Sequence, residues 1–410
     1  MEVAQVKRFI VDHWDDTVRY PQNQAQDEVP LAAPFTVPTV GPTFRLLFYW
    51  DTYFTCEGLL RSGRAELARC NADNFIQLIE QLGYVPNYPL KHDLTRSQPP
   101  VASLLFRAVY EYAHDKDWLR RACHAIEREY AFWMSTRAFP NGLNHYGNHL
   151  PVAELLAFAK DNTPGRIVHV APDMPERARQ VAHQFAECES GWDFTPRFDG
   201  RCMDFAPLDL NCLLYALETN QAYFCAELGY PEGAVWAKRA ARRKELFDRY
   251  LWDEVFGFYF DFDMAGIRPG NIVSSAAFFA LWSGLASPNQ AARIVDMLPQ
   301  LERSFGLCAC APGPRSPGQV YQWDAPNAWA PVQFAAIAGL LRCGYPTEAR
   351  RIAQKWVDVV ALNFEKTGNL WEKYNAETGG INAANEYEMP AMLGWTAGTF
   401  LYACDVLERI

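Results

Sequence analysis

The sequence predicts an all-α protein of ten to twelve helices, folded as one domain over residues 1–410. Three observations carry this. Apolar residues recur at the helical period through most of the chain. Alternating, strand-like runs are confined to short pieces such as Gly257-Phe258-Tyr259-Phe260-Asp261. No linker, low-complexity tract or shift in composition divides the 410 residues. Half of the residues are hydrophobic and 21% are charged, so a large core is available.

In chain order, Leu59, Leu60, Leu67, Ala68, Phe75, Leu78, Ile79 and Leu82 keep helical spacing, and the break at Ser62-Gly63 splits them into two helices. The same pattern predicts helices over 101–112, 118–134, 208–228, 232–251, 272–285, 289–298, 330–342, 346–364 and 393–407. Gly229-Tyr230-Pro231 and Gly344-Tyr345-Pro346 are turns between helix pairs. Loops are expected at 312–318 and 161–175, the second a candidate lid.

Composition excludes several classes of function. The net charge is -10, and no run of Lys or Arg suggests a nucleic-acid groove. The most apolar stretch, 272–286, is too short and too interrupted by Ser to span a bilayer. The first ten residues run into Asp12, Asp15 and Asp16 with no apolar core, which does not read as a secretory signal. The eleven cysteines are scattered and unpaired in sequence, and Cys308-Ala309-Cys310 has no clustered His. Reduced thiols and a cytoplasmic location are therefore expected. His92 and the His145-Tyr146-Gly147-Asn148-His149 segment lack an acidic third ligand, so no metal and no cofactor is expected.

The chemistry concentrates in two segments. Glu189-Ser190-Gly191-Trp192-Asp193-Phe194 sets carboxylates among aromatics, and Asn385-Glu386-Tyr387 precedes Gly394-Trp395-Thr396 near the other end. A carboxyl beside Trp and Phe loses hydration and favours its acid form. A second, in a more polar place, stays ionised. That asymmetry suits glycoside hydrolysis, in which one group protonates the leaving oxygen and the other works on water or the sugar. The bland alternative for each is a buried hydrogen-bond acceptor. Trp50-Asp51 offers a sugar face beside a bidentate acceptor, or else a helix cap beside a core indole. Arg96 and Gln98 precede Pro99-Pro100, whose extended backbone can present both side chains inward.

Together these segments resemble the trehalases. The run from Phe44 through Arg45, Phe48, Tyr49, Trp50 and Asp51 to Phe54 resembles their first signature. Arg96-Ser97-Gln98-Pro99-Pro100, the segment from Glu189 to Phe194, and Leu208-Asp209-Leu210-Asn211 follow in their order. Tyr321-Gln322-Trp323-Asp324-Ala325-Pro326-Asn327-Ala328-Trp329 resembles the second signature, with Ala328 where Gly is usual. Trp371-Glu372-Lys373-Tyr374 and the segment from Glu386 to Gly398 complete the series, with Ala397 where Asn is usual. The resemblance implies an (α/α)6 barrel and inversion at the anomeric carbon. It carries the general acid onto Asp193 and the general base onto Glu386. It implies substrate contacts at Phe44, Trp50, Asp51, Asn87, Arg96, Gln98, Gly191, Trp192, Trp323 and Trp395.

Two departures bear on the substrate. Thr43 and Val152 stand where the family places arginines that grip the disaccharide. The expectation is therefore an inverting hydrolase of a small α-glucoside such as glucosylglycerol or glucosylglycerate. A trehalase is the alternative, and a non-catalytic sugar-binding module, which could dispense with one carboxylate, is a third reading.

Overall fold

Among the described residues, six helices form the wall around which the molecule is built, and most of them are buried on nearly all sides. The computed structural model describes residues 2–161, 170–315, 320–382 and 388–409. Their helices are α1 (Glu2–His13), α2 (Tyr49–Arg61), α3 (Ala65–Leu82), α4 (Ala102–Ala113), α5 (Lys116–Thr136), α6 (Val152–Asp161), α7 (Met174–Ser190), α8 (Leu208–Leu228), α9 (Gly233–Leu251), α10 (Phe278–Ser283), α11 (Pro288–Asp296), α12 (Leu298–Leu301), α13 (Ala330–Arg342), α14 (Pro346–Thr367) and α15 (Gly394–Arg409). Packing runs from α2 to α4, α8, α10, α13 and α15, and then back to α2, so the inner ring closes. The helices α3, α5, α9 and α14 pack outside it, and α1 packs on α14. This is the expected (α/α)6 barrel.

The two rings differ in sequence for a physical reason. Inner helices meet neighbours on nearly all sides, so α2 buries every residue from Tyr49 to Leu59, polar ones included. Outer helices keep one apolar stripe, as Trp118, Leu119, Ala122, Cys123 and Ile126 do in α5. Where α2 crosses α15 the backbones nearly touch. A Cβ on Gly398 would run into the Phe54 carbonyl oxygen, closer than any side chain tolerates.

Most helices fall where the periodicity places them. The segment 272–285 does not: its start is a 3-10 turn at Ser275–Ala277, and α10 ends at Gly284. Extended pairing of Ser274 with Cys310, and the bond from the Ser275 N–H to the Ala309 carbonyl (2.9 Å), hold that start out of helix. The periodicity does not predict α1, α6 or α7. α7 buries a stripe of small residues, Ala178, Val181, Ala182 and Ala186, which gives a weak periodic signal. Helices α6 and α7 pack on each other around Leu155, Ala159, Ala178, Val181 and Ala182, a cluster separate from the main core. The 257–261 run forms the strand Phe258–Tyr259, paired with Trp252–Asp253. Of the expected loops, residues 162–169 and 316–319 lie outside the described residues.

Candidate active site

A cavity of about 320 Å³ opens at the N-terminal ends of α2, α13 and α15, beside the C-terminal end of α7. Trp50 and Asp51 enter it from the first turn of α2, which has no side-chain cap of its own. Gln98 supplies the missing acceptor from the α3–α4 connection: its Oε1 accepts from the Trp50 N–H at 3.1 Å. The backbone of Asn87 holds the same connection, donating to the Arg96 carbonyl (3.0 Å) and accepting from the Tyr49 N–H (3.1 Å). Its side-chain Oδ1 is buried without a protein partner, and so is Oε1 of Gln322. Both residues line the cavity. A buried acceptor left unpaired is costly, so each marks a place for a ligand hydroxyl or a water.

Helix α7 delivers Asp193. It ends at Gly191, whose φ is +69° and whose Cβ, if present, would lie 2.7 Å from the Trp50 indole. Only glycine meets both demands. The chain then buries Trp192 completely, brings Asp193 to the cavity wall and turns again at Phe194, with φ +58°. Glu189 anchors this turn rather than facing ligand. It is fully buried and takes both Nε (2.8 Å) and Nη2 (3.0 Å) of Arg137, with the N–H groups of Ser97 (2.8 Å) and Gly147 (2.6 Å).

The wall is aromatic. Trp50, Trp323, Trp329 and Trp395 line the cavity, with Trp50 and Trp395 edge to face at 5.9 Å. Trp192 lies behind Trp323 at 4.9 Å. Among the described residues, three carboxyls share the cavity: Asp51, Asp193 and Glu372. Burial pushes Asp51 up to about 8, against the pull of its own backbone N–H, and the charges of Glu372 and Asp193 add to the rise. Glu372 is paired with Lys373 at 2.8 Å, both side chains buried. Arg96 faces the cavity but is clamped by Asp93, through Nη1 at 2.7 Å and Nη2 at 3.2 Å, and donates to the Tyr88 hydroxyl at 3.1 Å.

The structure thus brings together ten of the twelve residues singled out from the sequence: Phe44, Trp50, Asp51, Asn87, Arg96, Gln98, Gly191, Asp193, Trp323 and Trp395. Trp192 stands behind them, and Glu386 lies outside the described residues. Val152 is 69% exposed on α6 and does not line the cavity. Gln322, Trp329 and Glu372 also line it, and they sit inside segments that already carry the resemblance. Tyr88 and Cys188 carry no such signal, and Phe48 and Met392 none beyond their places in the first signature and in the last segment. Among the described residues, no group of His, Cys, Asp and Glu is placed to hold a metal ion, and no helix is long and apolar enough to cross a membrane.

Comparison with known proteins finds relatives of one family. The family model described as Trehalase matches residues 2–408. A periplasmic trehalase of Pseudomonas aeruginosa is 35% identical over 97% of this chain and 76% of its own length. One from Xanthomonas campestris pv. campestris is 33% identical over 95% of this chain and 71% of its own. Neutral trehalase Nth1 from Saccharomyces cerevisiae superposes with a TM-score of 0.84 at 25% identity, covering 100% of this chain and 94% of that one. A mannosylglycerate hydrolase from Thermus thermophilus shares the fold, with a TM-score of 0.66 at 18% identity over 97% of this chain and 99% of its own.

These relatives correct the expected cytoplasmic location, because both bacterial enzymes are named periplasmic. The cysteines mislead for a physical reason. They are unpaired because of where the fold puts them: most are buried, and burial pushes thiols such as Cys56 and Cys404 up to about 12, so unpaired cysteines say little about the compartment.

Proposed function

The chain belongs to the trehalase family of glycoside hydrolases, and from that premise we propose that it cleaves a small α-glucoside with inversion. Residues 1–410 act as one catalytic domain in this reading. The observation that carries it is the placement of Asp193 and Glu372 in the wall of one aromatic cavity, both close enough for their charges to act on Asp51. Asp193 gives a proton to the glycosidic oxygen. A second carboxylate takes a proton from water on the opposite face of the ring. The sequence expectation puts that base on Glu386. This reading puts it on Glu372 instead, because Glu372 lines the cavity and its pair with Lys373 holds its direction. Asp51, Asn87, Gln98 and the indoles hold the glucose ring.

The test uses α-glucosyl fluoride, whose leaving group needs no proton. Asp193→Asn is expected to lose most turnover on an alkyl α-glucoside and to keep much of it on the fluoride. Glu372→Gln is expected to lose both. Equal loss on both substrates for Asp193→Asn would remove it as the acid. An active Glu372→Gln beside an inactive Glu386→Gln would return the base to Glu386.

On substrate, Arg96 is the only arginine of the cavity wall among the described residues, and Asp93 already engages it. Thr43 is exposed and Val152 stands away from the cavity. This supports a small, glycerol- or glycerate-type aglycone ahead of a second glucose. The trehalase reading is supported in turn by relatives named for that activity at 33 and 35% identity.

A further inference from the structure

Three indoles form a column, Trp329 and Trp323 in the cavity wall and Trp192 behind them. The Trp192 and Trp323 rings are 4.9 Å apart, and Trp323 lies 4.0 Å from Trp329 with the planes 4° apart. A cation closes each end: Arg197 Cζ lies 4.5 Å from the Trp192 ring, and Lys373 Nζ lies 4.4 Å from the Trp329 ring. Both cations are buried. Arg197 is paired with Asp209 and Asp261, and Lys373 with Glu372. The sequence then ties the column to the chemistry, because Asp193 follows Trp192 and Glu372 precedes Lys373.

Strand pairing explains how the ammonium reaches its ring. Asn327–Trp329 pairs antiparallel with Lys373–Asn375, and Trp329 stands directly opposite Lys373. A cross-strand pair sets the two side chains on one face, where a lysine can lie over an indole. The lysine thus meets a ring face and a carboxylate at once, and neither its stem nor the glutamate can swing without losing one of them. Close packing makes the stacked rings a stiff spacer.

We propose that Lys373 is a positioning residue, which, braced by the indole column, fixes the Glu372 carboxylate relative to Asp193. This rests on the reading of Asp193 and Glu372 as acid and base. A displacement of about 1 Å in such a pair costs on the order of a hundredfold in rate. Lys373→Met is expected to lower kcat on α-glucosyl fluoride by about that factor, with KM and the Kd for glucose changed less than about threefold. Lys373→Arg, which keeps a cation on the ring and beside the carboxylate, is expected to recover part of the loss. Should the methionine variant not fold, Lys373→Gln carries the same expectations.

Glu372→Gln separates the two ideas. If it keeps turnover, the base assignment falls. If it is inactive while Lys373→Met turns over at the native rate, the positioning role alone is overturned. A variant in which kcat, KM, glucose affinity and thermal midpoint all deteriorate together, with no recovery by arginine, would also overturn it and leave Lys373 a structural residue.

Discussion

Glu129 shows what burial does to a single group here. It lies on α5 with no exposed surface and accepts from the Tyr49 hydroxyl on α2, so it pins an outer helix to the inner ring. Desolvation pushes its carboxyl from 4.5 up to about 7. The unfolded chain gives up this proton near pH 4.5, while the fold keeps it until about 7. The folded state therefore binds more protons in that window, and stability falls as pH rises through it. At about 1.4 kcal/mol per unit, the loss is on the order of 3 kcal/mol. Glu129→Gln keeps an acceptor for Tyr49 and removes the titration. It is expected to flatten the difference in urea midpoint between pH 5 and pH 8, and an unchanged difference would show that Glu129 does not titrate in the window. Asp51 and Glu129 share this cause, yet of the two only Asp51 lines the active-site cavity. Sequence can nominate Asp51 from its neighbour Trp50. It gives no sign of Glu129, because burial of a helical glutamate depends on which helix packs over it.

At the scale of elements, legibility follows the kind of burial. Helices with large aliphatic or aromatic stripes are readable: α8 and α13 fall on the residues the periodicity gives. The unpredicted α7 buries alanines and one valine, which carry little periodic contrast, although it positions Asp193. The pair of strands that sets Lys373 on Trp329 is three residues long on each side, too short for any alternation to register. The α2–α15 crossing is equally silent, since a glycine in a helix reads as a weakness until a neighbour's backbone is seen against it. Gly398→Ala would drive a methyl group onto the Phe54 carbonyl. Overpacking of this kind costs about 1–3 kcal/mol and more where backbone must move. The expected outcome is a loss above about 3 kcal/mol, read as a drop in urea midpoint. Gly63→Ala is the control for loss of glycine alone: it has φ +75° but nothing within 4 Å of a new Cβ. If Gly398→Ala is no worse than Gly63→Ala, the close crossing is not limiting.

For the whole molecule, the barrel places connections from outer helices to their inner partners at one end, and the cavity gathers residues from position 44 to position 395 there. That spread explains why the site is legible as a set of scattered motifs and why its substrate is not. Motifs mark the residues at the inner-helix ends and in the turn after α7, which in the proposed reading hold the glucose ring and supply the acid and the base. The aglycone meets whatever covers the mouth, and that depends on segments with no periodic signal. The prediction at this scale is therefore a ratio. The cavity wall has one arginine among the described residues, engaged by Asp93, where a second sugar would call for several charged donors. One or two such bonds are worth more than about 1.4 kcal/mol, a factor of ten. Glucosylglycerol or glucosylglycerate is expected to exceed trehalose in kcat/KM by at least about tenfold, the quantity that measures discrimination. Preference for glucosylglycerate over glucosylglycerol would further show that Arg96 exchanges Asp93 for the aglycone carboxylate, and Arg96→Gln should erase that preference while sparing glucosylglycerol. A kcat/KM for trehalose at or above every glycerol-type glucoside would assign the second subsite to glucose and make this chain a trehalase in activity as well as in family.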